Sequence, residues 1–151
     1  DTGVYFTPLG SKSERQADSV FAQLTGGAPA YEEELTVKSR TLHVPFVAKG
    51  VARFSFAQLC ERPLGAEDYL RIAHSYHTVF VEGIPRMGYD RRNEAKRFMT
   101  LIDAFYDSKT KLVATAAALP DKLYHGDDYA FEFQRTASRL TEMQSEEYLQ
   151  A

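Results

Sequence analysis

Glu82 ends the short apolar, β-branched run His77-Thr-Val-Phe-Val-Glu82, and it is the residue whose type and setting point most directly to chemistry. Runs of this kind form strands buried on both faces, and open α/β sheets put ligands and catalytic acids at the carboxyl ends of parallel strands. An acid there also serves as a plain cap on the following turn, so Glu82 has two readings. Cys60 is the lone thiol, and a nucleophilic role needs a base nearby. His74 and His77 are not far off in sequence, yet a buried core thiol is the simpler role. His74, His77, His125 and Glu82 lack the spacing of a known zinc motif, so no metal site is expected. Arg86, Arg91, Arg92, Lys96 and Arg97 form a local basic cluster that suits phosphate, while the acids among them also suit a solvated helix face. Arg135 and Arg139 stand four residues apart, on one face of any helix that begins early enough, and ion pairs to Glu132, Glu142 or Glu146 are their plain role. No Gly-x-x-x-x-Gly-Lys-Ser/Thr loop occurs anywhere and no Asp-Glu pair closes an apolar strand, so this chain by itself should not hydrolyse nucleotide.

The elements that must position these groups follow from periodicity. Between 91 and 108 the apolar residues Ala95, Phe98, Met99, Ile102, Phe105 and Tyr106 recur at spacings of three and four, which predicts a helix. With the strand ending at Glu82, stopped by Gly83 and Pro85, and a second buried strand at 111–116, that helix makes a strand–helix–strand unit with parallel strands. Upstream, Val4 to Thr7 reads as a strand. Ser13 can cap a helix carrying Ala17, Val20, Phe21 and Leu24 and ended by Gly26-Gly27. Residues 28–33 read as loop, and 34–38 with 41–46 as a hairpin turning at Ser39-Arg40. Val51-Ala-Arg-Phe-Ser-Phe56 alternates as a strand, Ala66 to Ser75 forms a short helix, and a last helix runs from about 136 to 148. The fold expected is α/β. Its parallel-sheet, three-layer core spans about 51–149 and is preceded by a small α+β segment with a β-hairpin; the division is 1–50 and 51–151.

With 44% hydrophobic and 26% charged residues the chain is globular rather than disordered, and its net charge of −3 gives no general pull towards nucleic acid. One cysteine excludes an internal disulfide framework and fits a reducing compartment. No segment approaches 18 consecutive apolar residues, so no transmembrane span is expected. Because the sequence opens Asp-Thr-Gly-Val-Tyr-Phe without an initiator methionine, a piece of a longer protein is expected.

Five strings carry a family resemblance: VYFTPLG at 4–10, FSFAQLCERPLGAEDYL at 54–70, HTVFVEGIP at 77–85, RRNEAKRFMTLIDAFYD at 91–107 and SRLTEMQSEEYL at 138–149. They resemble the C-terminal part of the ZapE-like cell-division ATPases, the Afg-type branch of the AAA+ ATPases of bacteria and mitochondria, and cover nearly the whole chain. The resemblance implies that the Walker A, Walker B and sensor motifs lie in an N-terminal half not present in this sequence. ATP and Mg would bind there, and this chain would hold neither tightly. It implies a domain that contributes to assembly, to regulation of hydrolysis and to client binding, or alternatively a client-binding adaptor without a direct nucleotide role. An independent enzyme using Glu82 with His77 or Cys60 is the least supported reading, because no nucleophile, base and orienting group assemble from these spacings. Implied partners are the protein's own N-terminal ATPase domain, further copies in a homo-oligomer and an unidentified client; the implied setting is cytoplasmic in bacteria and mitochondrial in eukaryotes. In this comparison Thr78-Val-Phe-Val-Glu82, the helix 91–108, the strand to Ala118, Pro120 and Leu123-Tyr124 follow the order of a Walker B to sensor region. Glu82 would be a vestigial metal-binding acid, with Gly83 in place of the catalytic glutamate and Ala116-Ala117 in place of the sensor Ser-Asn. Arg135 or Arg139, beside a Ser-Arg-Leu sequence, would be a candidate arginine finger.

Overall fold

The computed structural model describes residues 3–151, and its centre is one six-stranded sheet. The strands are β1 (Tyr5–Phe6), β2 (Tyr31–Val37), β3 (Arg40–Ala48), β4 (Val51–Ser55), β5 (Thr78–Ile84) and β6 (Lys111–Ala116), in the spatial order β1-β6-β5-β4-β3-β2. β1, β6, β5 and β4 run parallel, while β3 and β2 add an antiparallel hairpin to the β4 edge. Central β5 is apolar on both faces, as a parallel strand covered on both sides must be.

Helices cover both faces. α1 (Ser11–Thr25) lies on one, where Ala17, Val20 and Phe21 meet Val51, Phe80 and Val113. On the other, α2 (Phe56–Cys60), α3 (Ala66–Ser75), α4 (Arg92–Asp107) and α5 (Ala130–Glu142) enclose the larger core with a final short helix, α6 (Glu146–Gln150). Three layers result, as the alternation of strands and helices predicts, and the third layer over the parallel strands is supplied by α1 from the first fifty residues.

Several expected boundaries move, each for a local reason. Ser13 is not the cap of α1. It sits in the first turn and its hydroxyl donates to the Gly10 carbonyl at 3.0 Å, while Leu24 stays 44% exposed because α1 covers the sheet with a narrow stripe. The hairpin is longer than 34–38 and 41–46 and turns at Lys38-Ser39, where Lys38 takes φ +56°. Residues 31–33, read as loop, belong to β2. Gly83 does not stop β5: at φ +78° it forms a bulge that a side chain would strain, and the strand continues to Ile84. Phe56 starts α2 rather than ending β4, because Ser55 and Gln58 form a reciprocal capping box. The helix expected over 136–148 is two. It begins at Ala130, ends at Glu142, and restarts after Ser145, whose hydroxyl accepts the Tyr148 N–H at 3.1 Å. The break turns Tyr148 inward, so that its O–H donates to the Thr110 carbonyl at 2.7 Å.

Phe98 of α4 is fully buried between Phe56, at 6.0 Å between ring centroids, and Phe133, stacked at 6.2 Å. Phe98→Ala removes the ring joining α2, α4 and α5, and urea unfolding is expected to show a loss of about 3–5 kcal/mol. A melting temperature within a degree or two of the parent would refute this account of the core.

Candidate functional site

Where the parallel strands end, the chain builds a small charged cluster from three elements. Arg53 of β4 and Phe80 of β5 are register partners, as are Ser55 and Glu82, so Arg53, Phe80 and Glu82 share the face under α1. The Arg53 Nε donates to Glu82 Oε2 at 2.8 Å and its Nη2 to Oε1 at 2.7 Å, a two-pronged pairing that uses both carboxylate oxygens. Nη2 also donates to Asp18 Oδ1 of α1 at 2.8 Å. The guanidinium lies 5.1 Å from the ring centre of Phe21 and 5.2 Å from that of Phe80, two rings that meet edge to face. The Arg53 and Glu82 side chains are only 16% and 24% exposed, whereas Asp18 is 67% exposed. Burial lowers the Arg53 pKa, but the hydrogen bonds and charges of Glu82 and Asp18 outweigh it and raise the guanidinium above its ordinary value.

Two hollows flank the cluster. One of about 590 Å³ opens towards the hairpin between Phe21, Pro45 and Phe46, over Arg53, Ser55 and Gln58. The other, of about 430 Å³, opens towards the start of α1 and is lined by Gly10, Ser13, Glu14, Gly83 and Thr115. Gly83 donates its N–H to Thr115 Oγ1 at 2.8 Å, which joins the bulge of β5 to β6.

The second hollow has the strand–turn–helix topology of a phosphate-binding loop, since β1 leads through Thr7-Pro-Leu-Gly10 into α1. Its residues do not fit Mg-ATP. The turn reads Gly10-Ser-Lys-Ser without the glycine-rich spacing that exposes successive N–H groups. Glu14 and Asp18 line the place where phosphates would sit, and both oxygens of Glu82 are already engaged.

The other groups with chemical potential lie apart from this cluster. Cys60 follows the carboxyl end of β4 and is fully buried; burial pushes its thiol far above the usual range, so it stays protonated and inert. His77 precedes the amino end of β5, where its ring contacts the Lys49 carbonyl at 3.0 Å and Thr78 Oγ1 at 2.9 Å. Cys60 and His77 thus stand at opposite ends of the parallel strands. Among the described residues no three His, Cys, Asp or Glu side chains converge to hold a metal ion. The basic cluster is dispersed: Arg86 donates to the Lys122 carbonyl, Arg91 meets Glu61, Arg92 lies over Tyr89 and Arg97 donates to the Cys60 carbonyl. Arg135 and Arg139 share Asp103 of α4, at 3.0 and 2.5 Å, rather than Glu132, Glu142 or Glu146, and Arg139 lies 4.6 Å from the ring centre of Tyr106. Sequence reading missed Arg53 and Asp18. The available signal was the position of Arg53, a charge inside an otherwise apolar alternating strand.

Comparison with known proteins covers the whole chain. Residues 1–151 match a family described as AFG1-like ATPase. The chain is 36% identical over 146 residues to the cell division protein ZapE of Escherichia coli K12, covering 97% of this chain and 39% of that protein. It is 35% identical over 146 residues to lactation elevated protein 1 homolog B of Danio rerio, covering 76% of this chain and 29% of that protein. This chain therefore spans well under half the length of these relatives. No solved structure gives a significant match.

The cluster's energetics are testable by a double-mutant cycle on Arg53→Leu and Glu82→Leu. Either single change leaves a half-buried partner unpaired, and the coupling between them is expected at about 1–3 kcal/mol in urea unfolding. Asp18→Asn, at the exposed end, should cost less than about 1 kcal/mol. A coupling near zero between positions 53 and 82 contradicts the geometry.

Proposed function

The chain belongs to the AFG1-like ATPase family, and on that premise we propose that it is a non-hydrolytic C-terminal domain of a ZapE/Afg-type AAA+ ATPase. In this reading it contributes to assembly, to regulation of hydrolysis and to client binding, while ATP and Mg bind the protein's own N-terminal ATPase domain. The observation that carries it is the closed pairing of Glu82 with Arg53, which occupies the acid in the place where a strand-end carboxylate would hold a cation. A cell-division role is the setting this reading takes from ZapE, whose name states it; a homo-oligomeric, cytoplasmic protein is what the family resemblance of the sequence implies.

Of the two arginines, we assign the finger role to Arg135. Its side chain is 63% exposed and makes one bond to Asp103 at 3.0 Å, so it can leave α4 at little cost. Arg139, 24% exposed and stacked on Tyr106, holds α5 in place. A guanidinium suits a neighbouring subunit's phosphate because it is always charged and presents a planar fork of donors.

Calorimetry of the isolated chain should give ATP affinity of about millimolar or weaker and no detectable turnover; micromolar affinity overturns the assignment of the phosphate site to another domain. In full-length enzyme, Arg135→Ala should leave melting and ATP binding near normal and cut turnover by at least about a hundredfold. Arg139→Ala should instead lower the melting temperature. Parent-like hydrolysis by Arg135→Ala removes the finger role.

A further inference from the structure

The two long helices on either side of the sheet are seated very differently. Of the 15 residues of α1 only Ser13, Ala17 and Thr25 are buried, whereas α4, one residue longer, buries seven, all apolar. Ser13 and Thr25 direct their hydroxyls to the Gly10 and Phe21 carbonyls, at 3.0 and 2.8 Å, so neither bonds to a strand. Among the described residues a single hydrogen bond joins α1 to the sheet, from Arg53 Nη2 to the exposed Asp18. The apolar contact is a satellite cluster, Ala17, Val20 and Phe21 on Val51, Phe80 and Val113, separate from the main core. Hollows lie along the helix as well: about 430 Å³ at its start, about 590 Å³ beside Phe21, and about 260 Å³ at its end, between Leu24 and Leu112.

We propose that α1 is a flap, which lifts from the sheet as one body while the rest of the domain stays folded, and that the Arg53–Asp18 contact is the clasp that holds it shut. Elements with few buried apolar contacts open at a lower free energy than the whole fold. The hinges are at hand, since Gly10 precedes the first residue of α1 and Gly26-Gly27 follow the last, at φ +63 and +78°. β1 does not travel with the flap. The Ala114 N–H donates to the Val4 carbonyl at 2.7 Å, and Tyr5 packs on the main core with its O–H donating to the Ala118 carbonyl at 2.7 Å.

Opening bares Val51, Phe80 and Val113, which are buried in the closed form, and turns that face of the parallel strands into an apolar strip. Arg53 keeps its two bonds to Glu82 and loses only Asp18 and the Phe21 ring, so the pair that closes the strand end survives. Off the sheet, a helix of 15 residues is marginal in water and its amides become accessible. The flap goes beyond the reading above and does not depend on the finger or on hydrolysis.

Ala17→Cys in the 151-residue chain makes both openings visible in one experiment, because Ala17 lies under α1 while the lone natural thiol, Cys60, is buried in the main core. With an aromatic disulfide reagent, the thiol at position 17 is expected to react at least about a hundredfold faster than Cys60, which waits for global unfolding. Ile102→Val, in the core under α4, should speed Cys60 by about three- to tenfold and leave position 17 unchanged, since the flap opens with that core intact. Asp18→Asn should speed position 17 by about two- to fivefold, the scale of a largely exposed ion pair. Amide exchange of the unsubstituted chain gives a second readout, with α1 exchanging at least about a hundredfold faster than β5 and α4, and only the latter two responding to Ile102→Val. Equal labelling of the two thiols, an equal response of both to Ile102→Val, an unchanged rate at position 17 in Asp18→Asn, or α1 amides exchanging with those of α4 each overturn the proposal.

Discussion

A single guanidinium fastens three elements at the carboxyl end of the sheet. Arg53 leaves β4, grips the carboxylate at the end of β5 and reaches the acid on α1, with the Phe21 and Phe80 rings both beside it. Sinking such a charge costs several kcal/mol in lost hydration, which close pairing and the ring faces return only when the geometry is good. What the arrangement adds is definition. α1 packs few apolar side chains besides Ala17, Val20 and Phe21 on the sheet, and an apolar contact that small tolerates sliding. The fork of Arg53 accepts one position of Asp18 and one of Glu82, which fixes α1 along its own axis.

The same pairing decides what the strand-end acid can do. For Glu82 to take up a cation, Arg53 would have to withdraw from Phe21 and Phe80, giving up both rings and leaving Asp18 alone. That is a coordinated change in three elements. A parallel sheet can therefore carry an acid at a strand end while that end is closed from within, and the residue that closes it comes from the neighbouring strand rather than from the acid's own.

How much of this was legible depends on the physical range of each signal. The strand–helix–strand unit around α4 was readable because its stripe and its flanking strands are local patterns of period 3.6 and 2. The three-layer class followed from their alternation. The identity of the third layer was not readable, since α1 reaches the parallel strands only through pairing of β1 with β6. The break at Ser145 lay in a sequence of strong helix formers, and only the burial of Tyr148 against Thr110 shows why the helix stops. Glu82 was found from its place at a strand end. Its partner was not, because Arg53 lies 29 residues away and neighbouring strands leave no trace of their register in composition.

The pairing of β1 also bears on the order of events at the ribosome. Tyr5 aligns with Ala114, and its O–H donates to the Ala118 carbonyl 113 positions along the chain. β1 thus waits for β6, and loop closure over such a distance is slow. Until β6 emerges, α1 has only part of its seat, and Val51 and Phe80 stand bare on a growing sheet. The interval before that clasp shuts is when the nascent chain is most open to chaperone capture and to aggregation.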